Sequence, residues 1–315
     1  MDYPPSYEGR VTKRDNNNGK KENQEMNKQI LEYNYVRAIA VLLVILGHCS
    51  YYKIMTDYGG VCVEMPHENI ASRLIGFQTG VLYHFHMPLF VALSGCLYCV
   101  ALRRKGSQPF TAFVRKKAHR LLLPFVGTAL LWSIPLKYIS GYWEGSAWEV
   151  IQQIFVGQFL MFGNFNSHLW FLQAIFLIFI MAWLIERLTL RKKTLLFFCA
   201  LLVVSIIGKI LGAHHYCLLN VQQAMAMLVW FYVGFYFEKY RPTINEFINQ
   251  HVRWFAIVAA VVLYSMLVLA KQHLPQFMGM GYITYYPLAL MGMIVVYALS
   301  YKLLKIIPPP SVKFY

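Results

Sequence analysis

The residues best suited to chemistry lie in an apolar stretch near the start of the chain, YVRAIAVLLVILGHCSYY, Tyr35 to Tyr52. It has the length and composition of a membrane-spanning helix, yet it holds Arg37 and, eleven residues on, His48. A helix turns about 100° and rises about 1.5 Å per residue, so these two side chains lie within roughly 20° of one another and about 16 Å apart along the axis. An ionisable group inside a bilayer is costly and normally faces the bundle interior. A guanidinium binds oxyanions, and an imidazole that titrates near neutrality serves as a general base on a hydroxyl. Arg37 and His48 are therefore the catalytic candidates. Taken alone, Arg37 is also explained by snorkelling to headgroups, and His48 by a bond to a neighbouring helix. Their common face raises the catalytic reading.

A second stretch, HFHMPLFVALSGCLY (84–98), carries His84 and His86. Two residues apart on a regular helix they diverge by about 200°, so they do not chelate one metal together, and no metal site is assigned. Either imidazole is a candidate for binding substrate beside His48. Pro88 removes a backbone donor and favours a kink. Packing is the preferred reading of Ser94 and Gly95, since glycine lets helices approach closely. Cys96 and Cys99, three apart on one helix, read as small core residues rather than a redox pair.

The connection 103–120 holds Arg103, Arg104, Lys105, Arg115, Lys116, Lys117 and Arg120. Membrane topology alone suffices to explain these cations. The functional reading is phosphate binding, for which Arg and Lys are suited. Arg120, at the entry of the next span, ranks first as a ligand contact, with Lys117 and Arg115 behind it. Trp170 and Phe171 read as interface anchors, and Trp170 is also a candidate floor for a sugar. No P-loop, GxGxxG or GxSxG pattern supports nucleotide hydrolysis or a serine hydrolase.

Such side chains need elements to hold them. The chain of 315 residues is 58% hydrophobic and 14% charged, whereas soluble domains run about half apolar and a quarter charged. Its apolar residues fall in runs of about twenty, the length that crosses a hydrocarbon core. The fold class is all-α, a polytopic transmembrane helix bundle with spans at 34–52, 80–102, 119–139, 168–188, 194–212, 217–237, 253–271 and 281–302. Trp148 to Phe162 is shorter and reads as an interfacial or re-entrant helix. Residues 1–29 are polar and read as a disordered cytoplasmic tail; 30–307 form the transmembrane domain and 308–315 the C-terminal end. Of the 29 Lys and Arg residues, 23 fall in the tail, alternate connections and C-terminus, and 5 on the opposite side. That bias places the N-terminus in the cytoplasm. It also accounts for the net charge of +15 without a nucleic-acid partner.

VRAIAVLLVILGH resembles the Arg-x10-His motif of the acyltransferase 3 family of integral membrane acyltransferases. HFHMPLFVALSGCLY is similar to the family's second helix, and KKAHRLLLPF (116–125) to the basic segment entering its third. HLWFL (168–172) also fits, and the resemblance runs in order along 30–307. It implies a multi-pass O-acyltransferase of a bacterial inner (plasma) membrane. Such an enzyme moves an acyl group, most commonly acetyl, from cytoplasmic acyl-CoA to a hydroxyl of an envelope or exported carbohydrate. Acyl-CoA is a co-substrate, and no permanently bound cofactor is implied. There are departures: Asn34 stands where relatives are often acidic, and Lys117 and Arg120 stand where many have two arginines. Members also usually have about ten helices and a late Tyr-x-x-His pattern, so this chain, ending at Tyr315, reads as C-terminally short. The alternatives are an inactive truncated remnant and a transporter or flippase of a glycan or lipid-linked sugar. Coupled transporters place Asp or Glu within their helices, whereas Glu186 and Glu238 lie near span ends.

Overall fold

The computed structural model describes residues 32–47, 53–56, 59–62, 70–139, 141, 145–160, 169–188, 194–214, 218–273 and 280–306. The tail 1–29, His48 and the end 308–315 lie outside them.

The first helix, α1 (32–47), buries Glu32, Tyr33, Val36, Ala40 and Gly47, a stripe at the three-to-four-residue spacing of a helix that packs on one side. A small antiparallel hairpin follows in what reads from sequence as a loop: β1 (Lys53–Thr56) pairs with β2 (Gly59–Cys62). The span expected as one helix over 80–102 is instead two, α2 (Ile70–Tyr83) and α3 (His86–Lys105), separated by a turn at His84 and Phe85. Pro88 explains the break. It has no N–H to give to the carbonyl of His84, so the ladder loses a bond at this point. It resumes where the Leu89 N–H reaches the Phe85 carbonyl at 2.8 Å.

α4 (Phe110–Thr128) contains Pro124 and runs through a π-helical turn, Ala129–Ser133, into α5 (Ile134–Ile139). The short element expected near Trp148 is α6 (Ala147–Gln153), extended by a π turn at Ile154–Phe159. Ser146 caps α6, and the Ser146 N–H and hydroxyl together hold the Glu149 carboxyl below its usual pKa. α7 (Trp170–Arg187), α8 (Thr194–Ala213), α9 (Val221–His251), α10 (Trp254–His273) and α11 (Met280–Ile306) complete the bundle.

α9 is the centre. Leu228 to Tyr232 are all buried, and α3 and α8 pack along it. α3 and α9 cross at two glycines. A Cβ on Gly95 would lie 1.9 Å from the Phe231 carbonyl oxygen, and one on Gly234 would lie 1.8 Å from that of Ala92. α9 also runs to His251, well past the expected end at 237. Its extra turns bury Glu238, Arg241, Asn245 and Ile248, again at three-to-four-residue spacing. The chain is thus an all-α polytopic bundle, and six helical stretches among the described residues, one of them running through the α2–α3 turn from Gly76 to Arg104, are long and apolar enough to cross a membrane.

Candidate active site

Basic groups gather at one end of the bundle. A cavity of about 410 Å³ opens there between α3, α4 and α7. Arg104, Lys116, Lys117 and Arg120 contribute to its wall. On α4 the lining residues Phe113, Lys116, Lys117 and Arg120 fall at i, i+3, i+4 and i+7, one face of a helix. Arg115 is two residues off that face from Lys117; it is exposed and does not line the cavity. The floor is aromatic. The Lys117 ammonium lies 3.2 Å from the centre of the Phe179 ring and 5.6 Å from that of Phe113. Trp183 donates its indole N–H to the Gln108 carbonyl at 3.0 Å, which fixes the connection between α3 and α4 beside the cavity mouth. Cations above aromatic faces suit a ligand that carries both phosphates and a flat ring.

The same end holds a buried ionic network that the sequence reading passes over. Arg241 of α9 is bonded to Glu32 of α1 and, through Nε at 3.1 Å, to Glu238. Glu238 is 1% exposed; it accepts from the Tyr33 hydroxyl and, at 3.4 Å, from the half-exposed Arg103. Asn245 donates to Glu32 at 3.2 Å and accepts from the Tyr297 hydroxyl at 2.7 Å. Four helices, α1, α3, α9 and α11, are therefore tied together. The 3–4 spacing of Glu238, Arg241 and Asn245 is visible in the sequence, but it lies where the sequence reading ends the span.

Arg37 is exposed and lines neither the basic cavity nor a second, apolar cavity of about 520 Å³ between α1, α3, α9, α10 and α11. The interior expected of it from sequence belongs instead to its neighbours. Tyr33 and Val36 line the apolar cavity, and Arg37 stands about 100° round from Val36. Arg37 sits on the first turns of α1, at the end that carries the ionic network.

At the opposite end, α1 is held against α2 just before the turn that carries His84. Gln78 donates to the Leu46 carbonyl at 3.2 Å, and a Cβ on Gly47 would lie 3.4 Å from Tyr83. His84 is half-buried, with Nδ1 2.6 Å from the Gly80 carbonyl oxygen and Nε2 3.0 Å from the Lys271 ammonium. His86 is buried, with Nδ1 2.9 Å from the Leu82 carbonyl and its ring edge-on to Tyr83 at 4.8 Å. Each imidazole thus bonds back along its own segment, and the two do not converge. Trp170 is half-buried at the start of α7, edge-on to Phe171 at 5.9 Å, and lines neither cavity. Among the described residues no three His, Cys, Asp or Glu side chains are grouped to hold a metal ion.

Comparison with known proteins adds two findings. A family model described as "Acyltransferase domain" matches residues 30–314. "Nodulation protein NolL" of Mesorhizobium japonicum is 29% identical over 162 residues, which cover 49% of this chain and 35% of NolL. The match thus spans about a third of that relative's length. No solved structure matches.

Proposed function

The chain belongs to the acyltransferase 3 family of membrane proteins, and from that membership we propose that it moves an acyl group, acetyl by preference, from cytoplasmic acyl-CoA to a hydroxyl of an envelope or exported carbohydrate. The observation that carries this reading is the basic, aromatic-floored cavity between α3, α4 and α7. Coenzyme A offers an adenosine phosphate and a pyrophosphate. Arg104, Lys116 and Arg120 are placed to meet such anions. Arg37, exposed at the same end of α1, adds a guanidinium for a donor phosphate at the membrane surface.

In the proposed chemistry the acceptor oxygen attacks the thioester carbonyl. His48 takes the hydroxyl proton, the carbon–sulfur bond breaks, and the proton passes to the departing thiolate of coenzyme A. His84, His86 and Trp170 belong on this reading to the acceptor side. Transport is less favoured. The buried carboxylates Glu32 and Glu238 are both paired with Arg241, a fixed ion pair rather than an isolated proton-loading acid.

Membranes bearing the chain, given radiolabelled acetyl-CoA and total envelope glycan, test the proposal. Labelled glycan is expected. His48→Ala should lower labelling by about 100-fold or more at unchanged protein abundance, the usual worth of a general base. Equal labelling by the variant would remove His48 from the mechanism.

A further inference from the structure

The basic cavity is longer than its cations require. Along α3 its wall runs from Arg104 through Ala101 and Leu97 to Ser94, positions that recur at three- and four-residue steps on one face. Ten residues separate Arg104 from Ser94, so the slot follows α3 for about 15 Å toward the opposite end of the bundle. Ser94 is the last residue of α3 to line it in that direction.

The next residue on the same face is Phe90, one turn beyond Ser94. Its ring does not line the cavity. It meets Phe171 of α7 edge-on instead, with centroids 6.3 Å apart and planes at 65°. Phe171 is in turn braced edge-on by Trp170 at 5.9 Å, and the Phe90 carbonyl accepts the Ser94 hydroxyl at 3.0 Å. α3 and α7 also wall the slot itself, where Tyr98 faces Phe179 at 6.0 Å. Inside the slot the rings leave space beside them. Past Ser94, rings from the same two helices meet where the slot stops. Beyond Phe90, α3 begins at His86, beside Tyr83 and the end of α1. The aromatic pair therefore stands between the slot and the part of the bundle where α1 finishes.

We propose that Phe90, backed by Phe171, is the stop that ends the donor slot and limits the transferred group to the shortest acyl chains. The inference rests on the reading of this cavity as the acyl-CoA site and deepens it by naming what sets acyl length. A pantetheine arm is slender and, when extended, comparable in length to the slot. With its phosphates held by the basic wall, the thioester comes to rest near Ser94, and the acyl carbons beyond it meet the Phe90 ring. Packed interiors yield little to an added methylene, so each one past that point is penalised.

The test uses the full chain in phosphatidylcholine nanodiscs and measures displacement of tritiated acetyl-CoA by unlabelled acetyl-CoA and butyryl-CoA. One methylene in an apolar pocket is worth about 10–200-fold, so the unaltered chain should bind butyryl-CoA at least about tenfold more weakly than acetyl-CoA. Phe90→Ala opens space past Ser94 and should bring the two within about threefold of each other. Phe171→Ala should act in the same direction from the facing helix. Phe90→Leu and Phe171→Leu keep an apolar side chain in place; they should give intermediate ratios, and they carry the comparison if an alanine variant does not fold. Equal binding of the two esters by the unaltered chain, or an unchanged ratio in variants that still bind acetyl-CoA, would overturn the stop. Absence of acetyl-CoA binding to the unaltered chain would overturn the donor reading, and the stop with it. The expected ratios without any labelling of glycan would sink the transferase reading and leave the stop standing.

Discussion

Lys117 places its ammonium over Phe179 in the wall of the basic cavity, where on the proposed reading a donor phosphate would compete with the ring for the charge. A cation over an aromatic face is worth about 0.5–2 kcal/mol, and a hydrogen bond to a charged group about 1.5–3 kcal/mol. The exchange therefore favours the phosphate modestly. Lys117→Ala and Arg120→Ala are each expected to raise KM for acyl-CoA about tenfold with kcat little changed, the mark of lost ground-state binding. Arg115→Ala should leave KM within about twofold, because that side chain is off the cavity. Steady-state kinetics on reconstituted protein decide it. An Arg115 effect equal to that of Arg120 would move the donor site out of this cavity. The sequence marks these three residues by type and by nearness to a span; the structure puts Arg120 and Lys117 on the cavity wall and Arg115 off it. What separates them is the angle each takes on α4, and a cluster of like charges carries no period from which that angle can be read.

The crossing of α3 and α9 is where an element-scale change is most costly. Gly95→Ala or Gly234→Ala drives a methyl group into facing backbone, which cannot move aside as a side chain can. Overpacking of this kind costs about 1–3 kcal/mol in ordinary cores, and contact with backbone puts these sites at or above the top of that range. Gly127→Ala makes the contrast, since a Cβ there meets nothing within 4 Å. It should be neutral or stabilising by up to about 1 kcal/mol, because alanine favours helix over glycine. Unfolding temperatures in detergent rank the three, and equal values would refute the close crossing. Arg241→Met should also destabilise strongly, by about 3–5 kcal/mol, because it leaves Glu32 and Glu238 buried without their common partner. Most helices are legible as apolar runs of bilayer length. The break at His84 and the reach of α9 are not, for different reasons. Pro88 acts on a carbonyl four residues upstream, so its effect falls away from the proline itself. Glu238, Arg241 and Asn245 look like a solvated connection until Glu32 and Tyr297 are brought against them from distant parts of the chain.

Across the whole molecule the two ends differ in kind, and the proposed reaction needs them on opposite sides of a bilayer. One end carries the cavity walled by Arg104, Lys116, Lys117 and Arg120. The other carries His84 with Lys271, and α1 ends against Tyr83 beside the turn that bears it. The Lys and Arg bias, 23 residues of 29 on one side, makes this polarity readable from sequence. The contact of Lys271 with His84 is not readable, because it joins α10 and the α2–α3 turn. On the proposed reaction the donor is cytoplasmic acyl-CoA, so the basic cavity is expected to open on that side. In a cysteine-free background, Ser107→Cys at the cavity and His214→Cys just beyond α8 report the two ends. Both positions are exposed. A membrane-impermeant maleimide applied to intact cells should label His214→Cys at once and Ser107→Cys only after the membrane is opened. The reverse pattern would turn the basic cavity away from its donor, and acyl transfer by the proposed route would have no source of acyl groups.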